Sequence, residues 1–75
     1  MLYSKTILNI LRDMYSENLS INSEISGKNL FREFCKKENK ESWERALGEF
    51  IKLGYAEEKG LVICVTQKCI DEYFS

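Results

Sequence analysis

Few residues in this chain have the types and spacing that catalysis or metal binding requires. The sequence contains three cysteines, Cys35, Cys64 and Cys69, and no histidine. Zinc sites take cysteine and histidine ligands at short, regular spacings, and no CxxC pair occurs here. The absence of histidine also removes the commonest general base and the usual partner of a cysteine or serine nucleophile. We therefore expect no metal and no cofactor, and we expect reduced thiols that pack as small buried hydrophobes.

Adjacent carboxylates occur twice, at Glu57-Glu58 and at Asp71-Glu72. Neighbouring side chains point in different directions on a strand or a helix, so neither pair has the spacing of a general acid and base. The chain also has no phosphate-cradling glycine loop and no nucleophile motif. We therefore expect that the protein is not an enzyme, has no small-molecule substrate and acts by binding a macromolecule.

Basic residues concentrate between Lys28 and Lys40, where five positive side chains stand against the carboxylates of Glu33 and Glu38. Basic side chains on one helix can hold backbone phosphates and set the register of a protein on DNA. They can equally be solvated charges that balance acidic residues elsewhere, and both interpretations stay open. The whole chain has a net charge of −1, whereas dedicated DNA-binding proteins usually carry a basic excess.

Three segments have the apolar spacing of amphipathic helices, and these helices must position the charged side chains. Their predicted bounds are Tyr3 to Tyr15, Gly27 or Lys28 to Glu38, and Glu41 or Ser42 to Leu53. The alternating Leu19-Ser20-Ile21 is predicted as a very short strand or an extended link. Asn39-Lys40 is predicted as a tight turn between the second and third helices, because asparagine tolerates the left-handed conformation.

After Gly54, which is predicted to end the third helix as a glycine cap, the apolar spacing changes from helical to strand-like. A turn at Glu58 to Gly60 then joins the two strands of a tight hairpin, and the second strand runs from Leu61 to Val65. Thr66 is predicted to cap a last short helix. The side-chain oxygens that could cap the second helix belong to Asn22, Ser23 and Ser26.

This order of elements predicts an α+β fold, namely a winged helix-turn-helix with a three-helix core, a short β-hairpin wing and a C-terminal helix. The length of 75 residues fits one domain, residues 1–75. The single tryptophan, Trp43, lies on the apolar stripe of the third helix and is predicted, together with Leu47 and Phe50, to pack against Phe31, Phe34 and Leu11. For Trp43, base stacking or a partner hot spot is the alternative. With no signal peptide and no apolar run long enough to span a membrane, we expect a cytoplasmic protein.

The run from Ala46 to Tyr55, followed by the run from Leu61 to Thr66, resembles winged-helix regulators of the MarR/PadR type. Those proteins carry a recognition helix that ends in a leucine-glycine-apolar corner, then a hairpin, then a threonine that opens another helix. The resemblance covers about residues 30–74. The position three residues after the threonine is commonly glycine in such proteins and is Cys69 here. The resemblance implies a transcriptional regulator that binds duplex DNA as a homodimer.

In a helix-turn-helix the first residues of the recognition helix reach base edges in the major groove. Arg45 is then placed to read guanine and Ser42 to contact a phosphate or a base. Against this, Glu41, Glu44 and Glu49 are predicted to share the exposed side, where carboxylates repel phosphates. The predicted DNA-binding residues are Lys28, Arg32, Lys36, Lys37, Lys40, Ser42 and Arg45.

A second function stays open, because many winged helices bind proteins instead of DNA. The chain could be a winged-helix protein-interaction module, such as a phage- or plasmid-borne inhibitor of a host nucleic-acid-binding protein. The acidic third helix favours this alternative, and the basic second helix favours DNA. A continuous basic face near Arg32, Lys36 and Arg45 would support DNA, and a broken or acidic face would support a protein partner.

The predicted last helix has more apolar surface than so short a helix normally buries alone. We expect this face to form a homodimer interface, because a terminal helix frays unless something covers its apolar side. The alternative is that the chain's own core covers the face. The residues of this predicted interface are Cys69, Ile70, Tyr73 and Phe74.

Overall fold

The chain folds as α+β, with four α-helices and one antiparallel sheet of three strands in the part that the structure describes. The structure is a computed structural model, and it describes residues 3–15, 19–20 and 23–73. The elements in chain order are α1 (Ser4–Tyr15), β1 (Glu24–Ser26), α2 (Gly27–Cys35), a 3₁₀ turn (Lys40–Ser42), α3 (Trp43–Lys52), β2 (Ala56–Lys59), β3 (Val62–Val65) and α4 (Gln67–Tyr73).

The three strands lie in the order β1-β3-β2, so β3 is central and pairs with both neighbours. The predicted hairpin is present, but its turn begins two residues later than predicted, at Gly60 instead of Glu58, and is shorter. Lys59 pairs with Val62, which leaves only Gly60 and Leu61 in the turn. Gly60 has a φ of 64°, which glycine adopts without steric cost. Glu58 is therefore a strand residue, and the two strands are joined by a two-residue turn, the commonest hairpin connection.

The first strand is not at Leu19-Ser20-Ile21, so the strand alternative is wrong for the two described positions, which leaves the extended link. Leu19 and Ser20 lie outside any strand, and Ile21 lies outside the described residues. The strand is instead Glu24–Ser26, where Ile25 is fully buried and pairs with Ile63 of β3. Leu19 is 3% exposed and contributes to the core without pairing.

Helix α2 begins with a side-chain cap and ends earlier than predicted. Ser26 is the capping residue, since its Oγ accepts a hydrogen bond from the backbone nitrogen of Asn29 at 3.2 Å. Of the other candidate caps, Ser23 accepts instead from the backbone nitrogen of Ser20, and Asn22 lies outside the described residues. The helix ends at Cys35 rather than at Glu38.

The link between α2 and α3 is not a left-handed asparagine turn. Asn39 has a φ of −68° and a ψ of 139°, which is an extended conformation. The chain reverses before it, because the backbone nitrogens of Lys37 and Glu38 both donate to the carbonyl oxygen of Phe34, at 3.0 and 2.9 Å. The 3₁₀ turn then leads into α3 at Trp43.

The core lies where α1, α2 and α3 meet the sheet, and it is built from the apolar stripes of all three helices. The predicted contacts of Trp43 with Phe31 and Phe34 are confirmed, with its ring centroid 5.6 Å from that of Phe31 and 5.4 Å from that of Phe34. Phe34 and Phe50 are fully buried, and Phe50 packs on Tyr55 at 5.1 Å between ring centroids. These rings fix α2 against α3 and α3 against the start of the hairpin.

Thr66 joins the end of α3 to the start of α4. Its Oγ1 accepts from the backbone nitrogen of Cys69 at 3.3 Å, which confirms the predicted cap, and it also donates to the carbonyl oxygen of Gly54. Gly54 has a φ of 87° and ends α3 as predicted. The threonine therefore satisfies one backbone group at each of two helix ends.

The three cysteines do not share one environment. Cys64 and Cys69 are buried as predicted, but Cys35 is exposed, so the expectation of three buried thiols is wrong for Cys35. Cys35 is the last residue of α2 and lies off the helix face that carries Leu30 and Phe34 into the core. Burial raises the pKa of the Cys69 thiol to about 11.

Candidate functional site

A groove of about 770 Å³ opens between the first half of α2, the start of α3 and the tip of the hairpin. Three separate parts of the chain meet there, so its shape depends on the tertiary fold rather than on any one element. The lining residues are Gly27, Lys28 and Phe31 of α2, Lys40 and Glu41 of the 3₁₀ turn, Trp43, Glu44 and Leu47 of α3, and Glu58, Gly60, Leu61 and Ile63 of the hairpin.

The apolar part of this groove consists of five large side chains. Ile63 is buried, whereas Phe31, Trp43 and Leu47 are half-buried. Leu61, in the hairpin turn, is 92% exposed. A leucine this exposed contributes little to the stability of the fold, so its apolar surface is available to whatever enters the groove. We call these five side chains the apolar floor.

The hairpin end of the groove is tied to α2. The backbone nitrogen of Gly27 donates to the carbonyl oxygen of Leu61 at 3.1 Å. This bond satisfies one of the N–H groups that the first turn of a helix leaves unpaired. A Cβ at position 27 would lie 3.3 Å from the same oxygen, so the absence of a side chain permits the close approach. The backbone of Leu61, at the hairpin end of the groove, is therefore held by a contact within the protein itself.

Charged side chains surround the apolar floor. Glu41, Glu44 and Glu58 form what we call the acidic rim, and Lys28 and Lys40 also line the groove. In the described ranges, none of these five residues has an oppositely charged group within 4.0 Å. The groove thus presents unpaired carboxylates in excess of unpaired ammonium groups.

Six of the seven predicted DNA-binding residues are exposed, and two of the six lie beside carboxylates. Lys36 bonds Glu33 at 3.0 Å, and Lys37 lies 3.7 Å from Asp13. Among the seven predicted residues, the four exposed cations that form no salt bridge with a described residue are Lys28, Arg32, Lys40 and Arg45. Of these, the groove brings together only the two lysines.

Two predicted surface positions take structural roles at the N-terminus of α1. Ser42 is half-buried, and its Oγ lies 3.5 Å from the hydroxyl of Tyr3. The Oε1 of Glu49 accepts from the backbone nitrogen of Tyr3 at 2.9 Å. The expectation that Glu49 shares the exposed side of α3 with Glu41 and Glu44 is therefore wrong, because it turns towards α1.

The predicted dimer face is largely used inside the chain. Cys69 is fully buried and Tyr73 is 5% exposed, while Ile70 is partly buried against the core. Phe74 lies outside the described residues. Arg12 also holds this helix, since its guanidinium donates to the carbonyl oxygens of Tyr73 and Glu72 at 3.1 and 2.9 Å. The homodimer stays a prediction. Among the described residues of the predicted interface, Ile70 is the main one whose side chain could still contact a second copy.

The sequence interpretation missed the apolar floor as a site. Phe31 and Trp43 were expected in the core, which they enter only in part, and Leu61 was expected inside a strand. One signal was available, because an apolar residue directly after Gly60 is unusual in a hairpin turn, where polar residues predominate.

Comparison of the chain with protein families, with curated proteins and with solved structures found no match of any of the three kinds. The resemblance to MarR/PadR-type regulators therefore stays a prediction. Within the described residues, no helix has the length and apolarity to cross a membrane.

Proposed function

We propose that this chain is a winged-helix-like binding module and that its groove takes a segment of a partner protein. The element order α1-β1-α2-α3-β2-β3 and the sheet order β1-β3-β2 support the winged-helix layout. In that layout α3 is the recognition helix and the β2-β3 hairpin is the wing. The groove lies between these two elements, on the side where such proteins meet their partners.

The observation that carries this proposal is the apolar floor with its acidic rim. A phosphate backbone offers nothing for Trp43 or Leu61 to pack against, and it is repelled by carboxylates such as Glu44. A protein segment gains from both features, since aromatic and large apolar side chains in a recess are the usual energetic centres of protein interfaces. A groove whose hairpin end is already fixed also loses less entropy when it is filled.

Selection from a displayed library of random peptides tests the proposal. Peptides of about ten residues span about 33 Å when extended, which exceeds the 28 Å long axis of the molecule. We expect an enriched peptide family whose binding changes the emission of Trp43, the single tryptophan.

Leu61→Ser is the informative variant, because a side chain that is 92% exposed can be removed without loss of core. We expect this variant to bind the enriched peptides about tenfold more weakly, a change that removal of one well-packed anchor commonly produces. Leu53→Ser is the matched control, since Leu53 is also exposed but does not line the groove. No enrichment, or equal binding by both variants, would overturn the proposal.

Duplex DNA is the second candidate partner, in the role of a homodimeric transcriptional regulator. It is favoured by the exposed cations that form no salt bridge with a described residue. Titration against duplex DNA at two salt concentrations tests it, because phosphate contacts make affinity fall steeply with salt. The variant to compare substitutes alanine at all four of these positions, Lys28, Arg32, Lys40 and Arg45.

A further inference from the structure

We infer that the segment this groove takes carries a lysine or arginine directly beside its apolar anchor. The inference rests on the proposed function and adds the chemistry of the partner. It starts from the acidic rim, whose three carboxylates come from three different elements and converge on one recess.

The need for a partner cation follows from what docking does to the rim. A segment that covers the apolar floor removes water from Glu44 and Glu58, which lie on α3 and β2, two elements that pack together. A carboxylate that loses water without gaining an opposite charge is destabilised. A lysine or arginine on the incoming segment supplies that charge, and an acidic segment adds repulsion instead.

The chain's own lysines do not remove this need. Lys28 and Lys40 line the same groove, but neither lies within 4.0 Å of a carboxylate of the rim in the described part of the chain. Two ammonium groups also leave one of the three carboxylates without a counterpart. The lining therefore has a negative excess, and it is placed around the apolar floor where an anchor side chain enters.

The side chain of the partner segment that enters the groove is expected to be apolar, because the floor it packs against is apolar. Phe31 and Trp43 meet edge to face, with 63° between their rings, and together with Leu47 they present half-buried apolar surface. Leu61 lines the same groove from the hairpin turn. A leucine, isoleucine or aromatic residue fills such a recess, and the neighbouring basic side chain extends its charged end to the rim while its stem stays on apolar surface.

Three synthetic peptides test the inference. They share the apolar residues of the peptide family enriched in the library selection and differ only beside the anchor, where they carry lysine, serine or glutamate. Titration followed by Trp43 emission at low ionic strength should show the lysine peptide binding at least about tenfold more tightly than the glutamate peptide. Added salt should reduce this difference, because these charges are exposed.

Charge reversal on the protein locates the effect. The double variant Glu44→Lys, Glu58→Lys should reverse the order of the lysine and glutamate peptides. Glu57→Lys is the matched control, since Glu57 is exposed, adjacent on the same strand and outside the groove lining. That variant should leave the order unchanged.

The outcomes separate this inference from the proposed function. Equal binding of all three peptides, or preference for glutamate, overturns the inference and leaves a protein-binding groove in place. A library that yields no peptide dependent on Leu61 overturns the proposed function itself. The inference would also be contradicted if Glu57→Lys changed the relative affinity of the lysine and glutamate peptides as much as the double variant does. The effect would then come from the net charge of the protein.

Discussion

The backbone nitrogen of Gly27 donates a 3.1 Å hydrogen bond to the carbonyl oxygen of Leu61, and this contact joins the start of α2 to the tip of the hairpin. It sets one end of the groove. Strand β1 precedes Gly27 directly and pairs with β3, so the bond extends the line of backbone contacts between these segments by one further residue.

Gly27→Ala should loosen this end of the groove with little change in overall stability. The added Cβ would lie 3.3 Å from the Leu61 oxygen, which is tighter than most such contacts, so the hairpin tip must shift. Alanine in turn favours the helix by up to about 1 kcal/mol over glycine, which offsets part of the cost. We expect the amide at position 27 to exchange with deuterium about tenfold faster. Unchanged exchange would contradict the role assigned to this bond.

Phe50→Ala should destabilise the protein severely. Phe50 is fully buried and stacks near Tyr55, so its removal leaves a cavity between α3 and the hairpin. The expected loss is about 3–5 kcal/mol, a large part of the total for a domain of this size. Urea denaturation followed by circular dichroism measures it, with Leu61→Ser as the control that should change by less than about 0.5 kcal/mol. A loss below about 1 kcal/mol for Phe50→Ala would show that the core is misplaced.

The thiols should differ in reactivity. Cys35 is exposed, and Cys64 and Cys69 are buried, so a disulfide reagent should label one thiol quickly in the folded protein and three in urea. Cys35→Ser should abolish the fast reaction. Two fast thiols in the folded wild type would be inconsistent with the burial of both Cys64 on β3 and Cys69 on α4.

Stability should fall as the solution becomes strongly alkaline. Burial raises the pKa of the Cys69 thiol from 9.0 to about 11, so the folded chain keeps a proton that the unfolded chain releases. This contribution is complete below pH 9 and is lost as the pH rises towards 11. Cys69→Ala should flatten the dependence in that window. An identical decline in wild type and variant would exclude Cys69 as its source.

The homodimer prediction can be tested at Ile70. Most of the described part of the predicted interface is buried within the chain, so a second copy would have to pack mainly on this residue. If the dimer uses this helix, Ile70→Glu should shift the sedimenting species from dimer to folded monomer at high micromolar concentration. A wild type that is already monomeric there rules the interface out.

Local pattern was sufficient for much of the fold. Helical spacing located α1, α2 and α3, and the cap at Thr66 and the glycine at position 54 act at short range, where sequence is informative. β1 could not be placed, because three residues become a strand only when β3 lies beside them. The turn was predicted too early, because Lys59 suits either a strand or a turn. Only its pairing with Val62 shows that it belongs to the strand.

The site was less predictable than the fold. The basic residues on α2 and directly after it were visible as a charge run. The salt bridges of Lys36 to Glu33 and of Lys37 to Asp13 depend on side-chain geometry, and Asp13 lies on a different helix, α1. The groove was invisible, since Phe31, Trp43 and Leu61 lie on three elements that only the tertiary fold brings together. An apolar stripe shows that residues are partly buried and does not show which of them stay accessible.

The most direct test of the central claim is amide chemical-shift mapping on one isotope-labelled sample, titrated with an enriched peptide and, separately, with duplex DNA. We expect the peptide to shift resonances around the groove, at Phe31, Trp43, Leu47 and Leu61, and to leave those of Lys36 and Lys37 unmoved. We also expect no saturable response to duplex DNA at physiological salt. Saturable shifts with DNA along Arg32, Lys36 and Arg45, with no peptide response in the groove, would contradict the central claim.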